Sequence, residues 1–307
     1  MDPELAALRV LIPHIDFADV DRARALEQEV SAEMRSGAPR TDVAVEDTCC
    51  LRADGSEIGL RLYRPLQSSR MRMPGLVFLH GGSFITGGLE TEEARCEDYA
   101  ADAECVAVAV DYRLAPEHPF PAGFEDCYTA LEWVAEHAEV LGIDANHLAV
   151  GGLSAGGALA AGLAARARDI GGPRIVLQML LFPVLDSQMA TNSVQAFTDT
   201  PILNSELVAS MWSLYLGGQD SLATDVYASP AALDQLAGLP PAFISTAEFD
   251  PLRDEALMFA QRLLHADVSV ELHHYARAYH SFDSLRAARL AGTARRAQID
   301  ALRVAFS

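Results

Sequence analysis

The stretch "LAVGGLSAGGALAAGLAARA", Leu148–Ala167, joins a short apolar run to an alanine-rich segment through the glycines around Ser154. The run His147–Gly152 predicts a buried strand, and Ser154–Ala167 predicts a helix. The central "GLSAG" fits the GxSxG pattern, in which a serine occupies a tight turn and small neighbours let the backbone pass closely. This pattern arises by chance in about one such chain in ten. The stronger evidence for a nucleophile is its position between a predicted strand and a predicted helix. We interpret Ser154 as a candidate nucleophile rather than as part of a glycine-rich packing turn.

Similar apolar runs occur on both sides of this stretch, separated by longer amphipathic segments such as Phe124–Val140. The runs are Gly75–His80, Cys105–Asp111, Ile175–Leu181, Pro241–Ala247 and Val268–Tyr275. Short unbroken apolar strands that alternate with helices are typical of a parallel sheet covered on both faces. The sequence therefore predicts an α/β core with a mostly parallel central sheet.

The remaining segments predict a hairpin and a helical cap. "DTCCLRA" and "IGLRLYR" flank the turn signal "DGSE" and predict a β-hairpin from Asp47. The segment before it suggests helices broken by Pro13 and Pro39, and a long insertion contains a predicted helix over Asn204–Leu216. We expect cap helices in 1–46 and 187–218 and a catalytic core in 47–186 and 219–307. The alternative is that these helices only cover the sheet.

Charge and composition exclude several functions. The 307-residue chain has a net charge of −20, which disfavours nucleic acid and anionic lipid and favours an uncharged substrate. All 23 basic residues are arginine, so Schiff-base chemistry, Ser/Lys catalysis and a phosphate-loop lysine are impossible. No apolar run reaches the roughly 18 residues of a membrane helix, and the N-terminus lacks the features of a secretion signal. We expect a cytoplasmic protein.

The five cysteines show no CxxC pair and no zinc-like grouping, so we interpret them as reduced, mostly buried thiols. No metal and no cofactor is predicted. The oligomeric state stays open between a monomer and a homodimer.

A serine nucleophile needs a base, and the base needs an orienting acid. In the α/β-hydrolase order, serine precedes the acid and the histidine comes last, each on a loop after a strand. The downstream histidines are His265, His273, His274 and His280. Only His280, in "RAYHSF", falls in a loop after the last predicted strand.

The predicted acid is Asp250, which lies between a strand and a helix in "STAEFDPLRDEA". An Asp-Pro pair is also a good helix start, and the two roles are compatible. Glu248 and Asp254 are the alternatives.

A tetrahedral oxyanion needs backbone donors. Ala155, directly after the serine, is one candidate, and Gly81 and Gly82 of "FLHGGSF" are the others. His80 precedes the serine in the chain, so we assign it a supporting role rather than that of the base.

Five motifs together resemble the hormone-sensitive-lipase-like family of α/β-hydrolase esterases, also called bacterial esterase family IV. They are "HGGSF", "DYRLAPEHPFPA" (111–122), "GLSAGG", "DPLRDEA" (250–256) and "YHSF", and the resemblance runs from about Pro74 to the C-terminus. It implies an α/β-hydrolase fold with a cap over an acyl pocket, and carboxylesterase activity. It implies Ser154 as nucleophile, His280 as general acid/base, Asp250 as its orienting partner and Gly81, Gly82 and Ala155 as the oxyanion hole. The "DYRLAPEHPFPA" run is structural in the family and braces the oxyanion loop.

Three positions depart from the family pattern. Ser83 replaces a glycine of the oxyanion loop, Leu153 replaces a polar residue before the nucleophile, and Ser281 replaces a glycine after the histidine. These changes bear on loop geometry and substrate preference, because a side chain at position 83 restricts the backbone near the oxyanion site. Phe84, Met211 and Trp212 are candidates for the acyl-pocket lining, and the alternative, favoured for Met211 or Trp212 taken alone, is that they only pack the cap helix.

The first functional hypothesis is a carboxylesterase that hydrolyses small, uncharged esters with short to medium acyl chains. The alternatives are lactone or amide hydrolysis on the same triad, and a non-catalytic small-molecule receptor. Receptors of this fold typically lose a triad residue, and all three candidates are present here.

Overall fold

The computed structural model describes residues 1–13, 15–34, 40–67 and 70–307. Among these residues, eight strands form one sheet. The strands are β1 Val43–Leu51, β2 Glu57–Pro65, β3 Met73–Leu79, β4 Val106–Asp111, β5 Ile143–Leu153, β6 Ile175–Leu181, β7 Ala242–Phe249 and β8 Val270–Tyr279.

Nine α-helices are present within the same described ranges. They are α1 Pro3–Leu8, α2 Val20–Met34, α3 Glu93–Ala103, α4 Ala122–Glu136, α5 Ala155–Ile170, α6 Asn192–Ala196, α7 Ser205–Tyr215, α8 Arg253–His265 and α9 Arg289–Ala305. Short 3-10 helices occupy Arg9–Leu11, Asp220–Thr224, Pro230–Ala232 and Phe282–Ser284.

The strand order is β1-β2-β4-β3-β5-β6-β7-β8. β2 runs antiparallel to β1 and β4, and every later neighbour pair is parallel. The carboxyl ends of β3, β5, β7 and β8 therefore lie at one edge of the sheet, which is where the loops of such folds carry binding and catalytic groups. The predicted α/β class with a mostly parallel sheet is confirmed.

Helices cover both faces because the central strands are apolar on both sides. All seven residues of β3 are buried. Val77 and Leu79 join the core beneath α4, α5 and α8, whereas Leu76 and Phe78 join the core beneath α3 and α9. Side chains alternate along a strand, so a run without polar residues needs a hydrophobic layer on each face.

The predicted hairpin is formed by β1 and β2, whose register pairs Val43 with Pro65 and Leu51 with Glu57. Its turn contains Gly55 at φ +84°, a conformation that glycine adopts without a steric penalty. The helix predicted over Asn204–Leu216 is α7, and the Asn204 side chain caps it by accepting from the Leu207 amide at 3.0 Å. Pro39, the predicted break in the N-terminal helices, lies outside the described residues.

The segments predicted to form a cap contact loops at the carboxyl edge of the sheet. On α2, Arg24 donates to the carbonyl oxygens of Ile85 and Ala115 at 2.9 and 3.0 Å and pairs with Glu117. On α7, the Tyr215 carbonyl accepts from the Phe120 amide at 2.7 Å. α1 lies elsewhere, because the Asp2 amide donates to the carbonyl of Arg277 on β8. The division into cap and core stays a prediction.

Glycine is required where α5 approaches the sheet. A Cβ added at Gly156 would lie 2.0 Å from the Leu79 carbonyl oxygen, and one at Gly152 would lie 2.3 Å from backbone atoms of Gly156. Backbone atoms cannot move aside as a flexible side chain can. The start of α5 therefore packs directly on the ends of β3 and β5.

We expect Gly156→Ala to lower the free energy of unfolding by about 3 kcal/mol, because the added methyl group overlaps backbone atoms. The matched control is Gly292→Ala in α9, where the nearest atom to an added Cβ is the end of the Arg296 side chain at 3.5 Å. That substitution should raise stability by about 0.5–1 kcal/mol through helix propensity. Urea unfolding of both variants measures the difference, and an equal effect of the two would contradict the packing argument.

Candidate active site

Ser154 occupies a strained turn between β5 and α5. Its backbone has φ 56° and ψ −113°, which is unusual for a residue other than glycine. The turn is held by hydrogen bonds from the Ser154 amide to the Leu181 carbonyl at 2.7 Å and from the Gly157 and Val184 amides to the Ser154 carbonyl at 2.9 and 3.2 Å. Such strain persists only where the surroundings over-determine it. Here it lifts the hydroxyl out of both the strand and the helix.

The three predicted triad residues lie together. The Ser154 Oγ is 2.9 Å from His280 Nε2, and His280 Nδ1 is 2.8 Å from Asp250 Oδ2. All three side chains are buried. A proton on Nδ1 satisfies both contacts, because Nδ1–H then donates to the carboxylate and Nε2 accepts from the hydroxyl. These residues are 96 and 30 positions apart in the chain, and the ends of three parallel strands bring them together.

Asp250 follows β7 and uses both of its oxygens. Oδ1 accepts from the Leu252 amide at 2.9 Å while Oδ2 faces His280, so turn formation and contact with the histidine coexist in one side chain. The two alternative acids are engaged elsewhere. Glu248 accepts from the Arg277 amide at 2.6 Å, and Asp254 accepts from the Ser193 amide at 2.9 Å.

The other downstream histidines lie away from Ser154. His265 ends α8, and His273 and His274 lie within β8, as predicted. His273 contacts Glu271 at 2.7 Å, and His274 Nδ1 is 2.8 Å from the Thr246 hydroxyl.

The loop after β3 bends sharply beside the turn that carries Ser154. Gly82, Ser83 and Phe84 have φ values of +109°, 58° and 62°, and the amides of Ile85 and Thr86 both donate to the Gly82 carbonyl. A Cβ at Gly82 would lie 2.3 Å from the Thr86 carbonyl oxygen. The loop therefore requires glycine at position 82 and tolerates side chains at the next two positions.

This loop lies against the residues that flank Ser154. A Cβ at Gly81 would be 3.3 Å from the Leu153 carbonyl, and a Cβ at Gly156 would be 2.6 Å from the His80 carbonyl. The start of α5, where Ala155 carries an amide with no preceding turn to bond to, faces the same region. The loop at Gly81 thus lies against Leu153 and the start of α5, and the grouping of Gly81, Gly82 and Ala155 as an oxyanion hole stays a prediction.

Comparison with known proteins identifies the family of the chain. A family model described as the α/β hydrolase fold matches residues 76–284. The chain belongs to that family. The hydrolase is 38% identical over 279 residues to carboxylesterase NlhH of Mycobacterium tuberculosis, which covers 89% of this chain and 85% of the relative. It is 40% identical over 226 residues to esterase LipI of the same organism, with 73% and 71% covered.

Solved structures extend the match to the whole chain. The structure titled "Bacterial Heroin Esterase" has a TM-score of 0.96 at 38% identity and covers 100% of this hydrolase and 98% of that chain. The predicted resemblance to hormone-sensitive-lipase-like esterases is confirmed, and so is the prediction of a carboxylic ester hydrolase. No helix within the described residues is long and apolar enough to cross a membrane.

His80 supports the loop that follows β3 through contacts with Gly81 and Tyr112. Its Nδ1 is 2.6 Å from the Gly81 carbonyl, its ring stacks on Tyr112 at 4.1 Å, and the Tyr112 hydroxyl donates to the His80 carbonyl at 2.9 Å. Among the described residues, Nε2 has no hydrogen-bond partner. Burial lowers the pKa of His80 to about 4, so the ring stays neutral and Nδ1–H donates to Gly81.

The three departures from the family pattern have identifiable places. Ser83 and Ser281 have φ values of 58° and 53°, so each stands in a left-handed conformation that favours glycine. Leu153 is buried, and its side chain would lie 3.5 Å from a Cβ at Gly81. Leu153 therefore packs beneath the loop, where a polar side chain would need a partner.

The residues predicted to line the acyl pocket cluster beside this loop. Phe84, Met211 and Trp212 are all buried and belong to one hydrophobic core. Tyr215, which we did not predict, stacks on Phe84 with ring centroids 3.7 Å apart. The three-residue spacing from Trp212 to Tyr215 puts both on one face of α7 and is the signal that could have found it.

The pH dependence of stability tests the neutral state of His80. The unfolded chain binds a proton with a pKa of 6.5 that the folded protein binds only near 4, so stability falls as the pH decreases through this window. The stabilisation that comes from the neutral His80 is fully present above the pKa of the unfolded chain. Near pH 4.5 it should be smaller by about 2 kcal/mol. The free energy of unfolding, measured with urea at neutral pH and near pH 4.5, should decline less in His80→Asn than in the wild-type protein by this amount. Equal declines in both proteins would show that His80 does not titrate as described.

Proposed function

We propose that the protein is a serine carboxylesterase that hydrolyses small, uncharged esters through an acyl-enzyme on Ser154. The observation that carries this proposal is the continuous hydrogen-bonded chain from Asp250 through His280 to Ser154. A serine hydroxyl is a weak nucleophile at neutral pH and becomes reactive when a neighbouring base removes its proton. The distances of 2.8 and 2.9 Å along these contacts support that transfer.

In the first half-reaction, Ser154 Oγ attacks the ester carbonyl carbon while His280 Nε2 takes the hydroxyl proton. The Asp250 carboxylate holds the Nδ1–H and stabilises the imidazolium that forms. The amides of Gly81, Gly82 and Ala155 are proposed to bind the oxyanion of the tetrahedral intermediate. The carbon–oxygen bond to the alcohol then breaks, and His280 gives its proton to the departing alkoxide.

The second half-reaction repeats these steps with water as the nucleophile. His280 removes a proton from the water, the hydroxide attacks the acyl carbon, and the bond to Ser154 Oγ breaks as the proton returns to it. The products are the carboxylic acid and the free enzyme. Ester and water are consumed in equal amounts.

An uncharged substrate fits the charge of the protein, because a net charge of −20 disfavours the approach of an anionic ester. The lining proposed for the acyl side is Phe84, Met211 and Trp212. These side chains belong to one hydrophobic core; Phe84 is part of the loop that carries Gly82, and the Trp212 ring lies 6.1 Å from the Phe84 ring. An apolar lining selects the hydrocarbon part of an acyl group. We further propose that α2 in the segment 1–46 and the helices of 187–218 form the cap, and that the enzyme is cytoplasmic.

Replacement of the nucleophile tests the reaction. We expect Ser154→Ala to lower kcat for a series of p-nitrophenyl esters by ~10⁴-fold or more, because attack and acyl-enzyme formation are lost. The control is Ser56→Ala in the exposed hairpin turn, which should keep the wild-type rate. An organophosphonate should label the wild-type protein with one equivalent and leave Ser154→Ala unlabelled.

Equal rates for the wild-type protein and Ser154→Ala would refute the esterase proposal. Phosphonate binding without covalent labelling would instead support a receptor. Lactone turnover well above that of any simple ester would change the substrate class and leave the mechanism unchanged.

The acyl-pocket proposal predicts a change in chain-length preference. Trp212→Ala removes a buried indole, so kcat/KM for longer acyl chains should rise about 10-fold relative to acetyl esters. Ser213→Ala, at an exposed position on the same helix, is the control and should keep the wild-type profile. An unchanged profile in Trp212→Ala would mean that this residue only packs the helix.

A further inference from the structure

A buried ion pair lies directly beyond the histidine of the triad. Arg95 on α3 donates from Nη1 to Asp283 Oδ2 at 2.8 Å and from Nη2 to Asp283 Oδ1 at 3.3 Å. Arg95 is 5% exposed and Asp283 is 0% exposed. Burying two charges is costly unless they are paired and fully hydrogen-bonded. The cost suggests a role beyond filling space.

The pair belongs to a network that joins two helices to the turn after His280. On α9, Gln298 donates to Asp283 Oδ2 at 2.7 Å and accepts from the Tyr99 hydroxyl at 2.7 Å. Arg95 also donates to Glu92 at 2.7 Å and to the Ser284 hydroxyl at 3.2 Å. Burial alone would raise the pKa of Asp283, but the Arg95 guanidinium lowers it, so the carboxylate stays charged.

The turn that carries His280 needs such external support. It follows β8, which ends the strand order of the described sheet and is paired with β7. Ser281 has φ 53° without being glycine, so its backbone is strained. An edge strand with a strained turn does not by itself fix a side chain between two partners at 2.8 and 2.9 Å.

The network reaches His280 by two routes. Along the backbone, the Asp283 carbonyl accepts from Arg295 at 3.1 Å, and the Ser284 amide donates to the Ser281 carbonyl at 3.1 Å. Through the side chains, Phe282 packs edge-on against Phe182, and Phe182 packs edge-on against the His280 ring at 6.0 Å.

We propose that Arg95 and Asp283 are positioning residues for His280. By clamping the Phe282–Ser284 turn between α3 and α9, they hold the imidazole on the line between Asp250 and Ser154. This inference rests on the proposed serine hydrolase function. The two residues do not contact the reacting atoms, so their loss should reduce the rate of the chemical steps and leave substrate affinity unchanged.

The principal test is Asp283→Asn in the full-length protein. The amide keeps the shape of the side chain but places an NH2 group opposite the donors of Arg95 and Gln298. We expect kcat for p-nitrophenyl acetate to fall at least ~10-fold with KM unchanged, because small displacements of a catalytic group are costly. The rate constant for phosphonate labelling of Ser154 should fall in parallel.

A spectroscopic signature separates positioning from general loss of stability. The proton that His280 Nδ1 shares with Asp250 gives a low-field proton NMR resonance, which should shift or broaden in Asp283→Asn. The control is Leu131→Ala, a buried position on α4 in the core of the opposite face of the sheet. It should lower Tm but keep both the resonance and a kcat within twofold of wild type.

Arg95→Lys provides a second variant in case Asp283→Asn does not fold. It keeps the buried charge but lacks the planar fork that reaches Asp283, Glu92 and Ser284, so an intermediate loss of kcat is expected. A folded variant of either kind with wild-type kcat and an unchanged resonance would overturn the proposal. If the wild-type protein failed to hydrolyse esters, the proposed function would fail, whereas the resonance would still report how His280 is held.

Discussion

The contact between the start of α5 and the ends of β3 and β5 is the constraint on which the site depends. No side chain separates the backbone of Gly156 from that of Leu79, so the helix begins as close to the sheet as the atoms allow. This approach fixes the turn at Ser154 and sets the loop at Gly81 beside it. A helix held even one methyl group further away would separate Ser154 from the loop that carries Gly81 and Gly82.

The remaining triad members depend on a different kind of support. Asp250 follows β7, a strand with neighbours on both sides, and its second oxygen is held by the Leu252 amide. His280 follows β8 at the end of the strand order, where the sheet gives less restraint. Helices α3 and α9 supply what the sheet lacks through the buried group around Arg95. The position of the His280 side chain thus depends on contacts that the Phe282–Ser284 turn makes with α3 and α9.

Much of this could be predicted because the signals are local. The turn at Ser154 is encoded in a few consecutive residues. The order of serine, acid and histidine along the chain follows from the order of the strands. The Arg95–Asp283 pair was not predictable, since it joins residues 188 positions apart and no motif links them. A single arginine among 23 basic residues carries no local mark of burial. Long-range contacts of this kind appear only once the helices are packed.

The Phe84–Tyr215 stack ties α7 to the loop that follows β3. In the proposed site, Phe84 is two residues from Gly82, so an acyl group that displaced α7 would also move the loop whose amides are proposed to bind the oxyanion. The proposed recognition of the acyl chain and the proposed stabilisation of charge on the carbonyl oxygen are therefore mechanically coupled. A poorly fitting chain would slow turnover as well as weaken binding, and selectivity would be expressed in the rate constant itself.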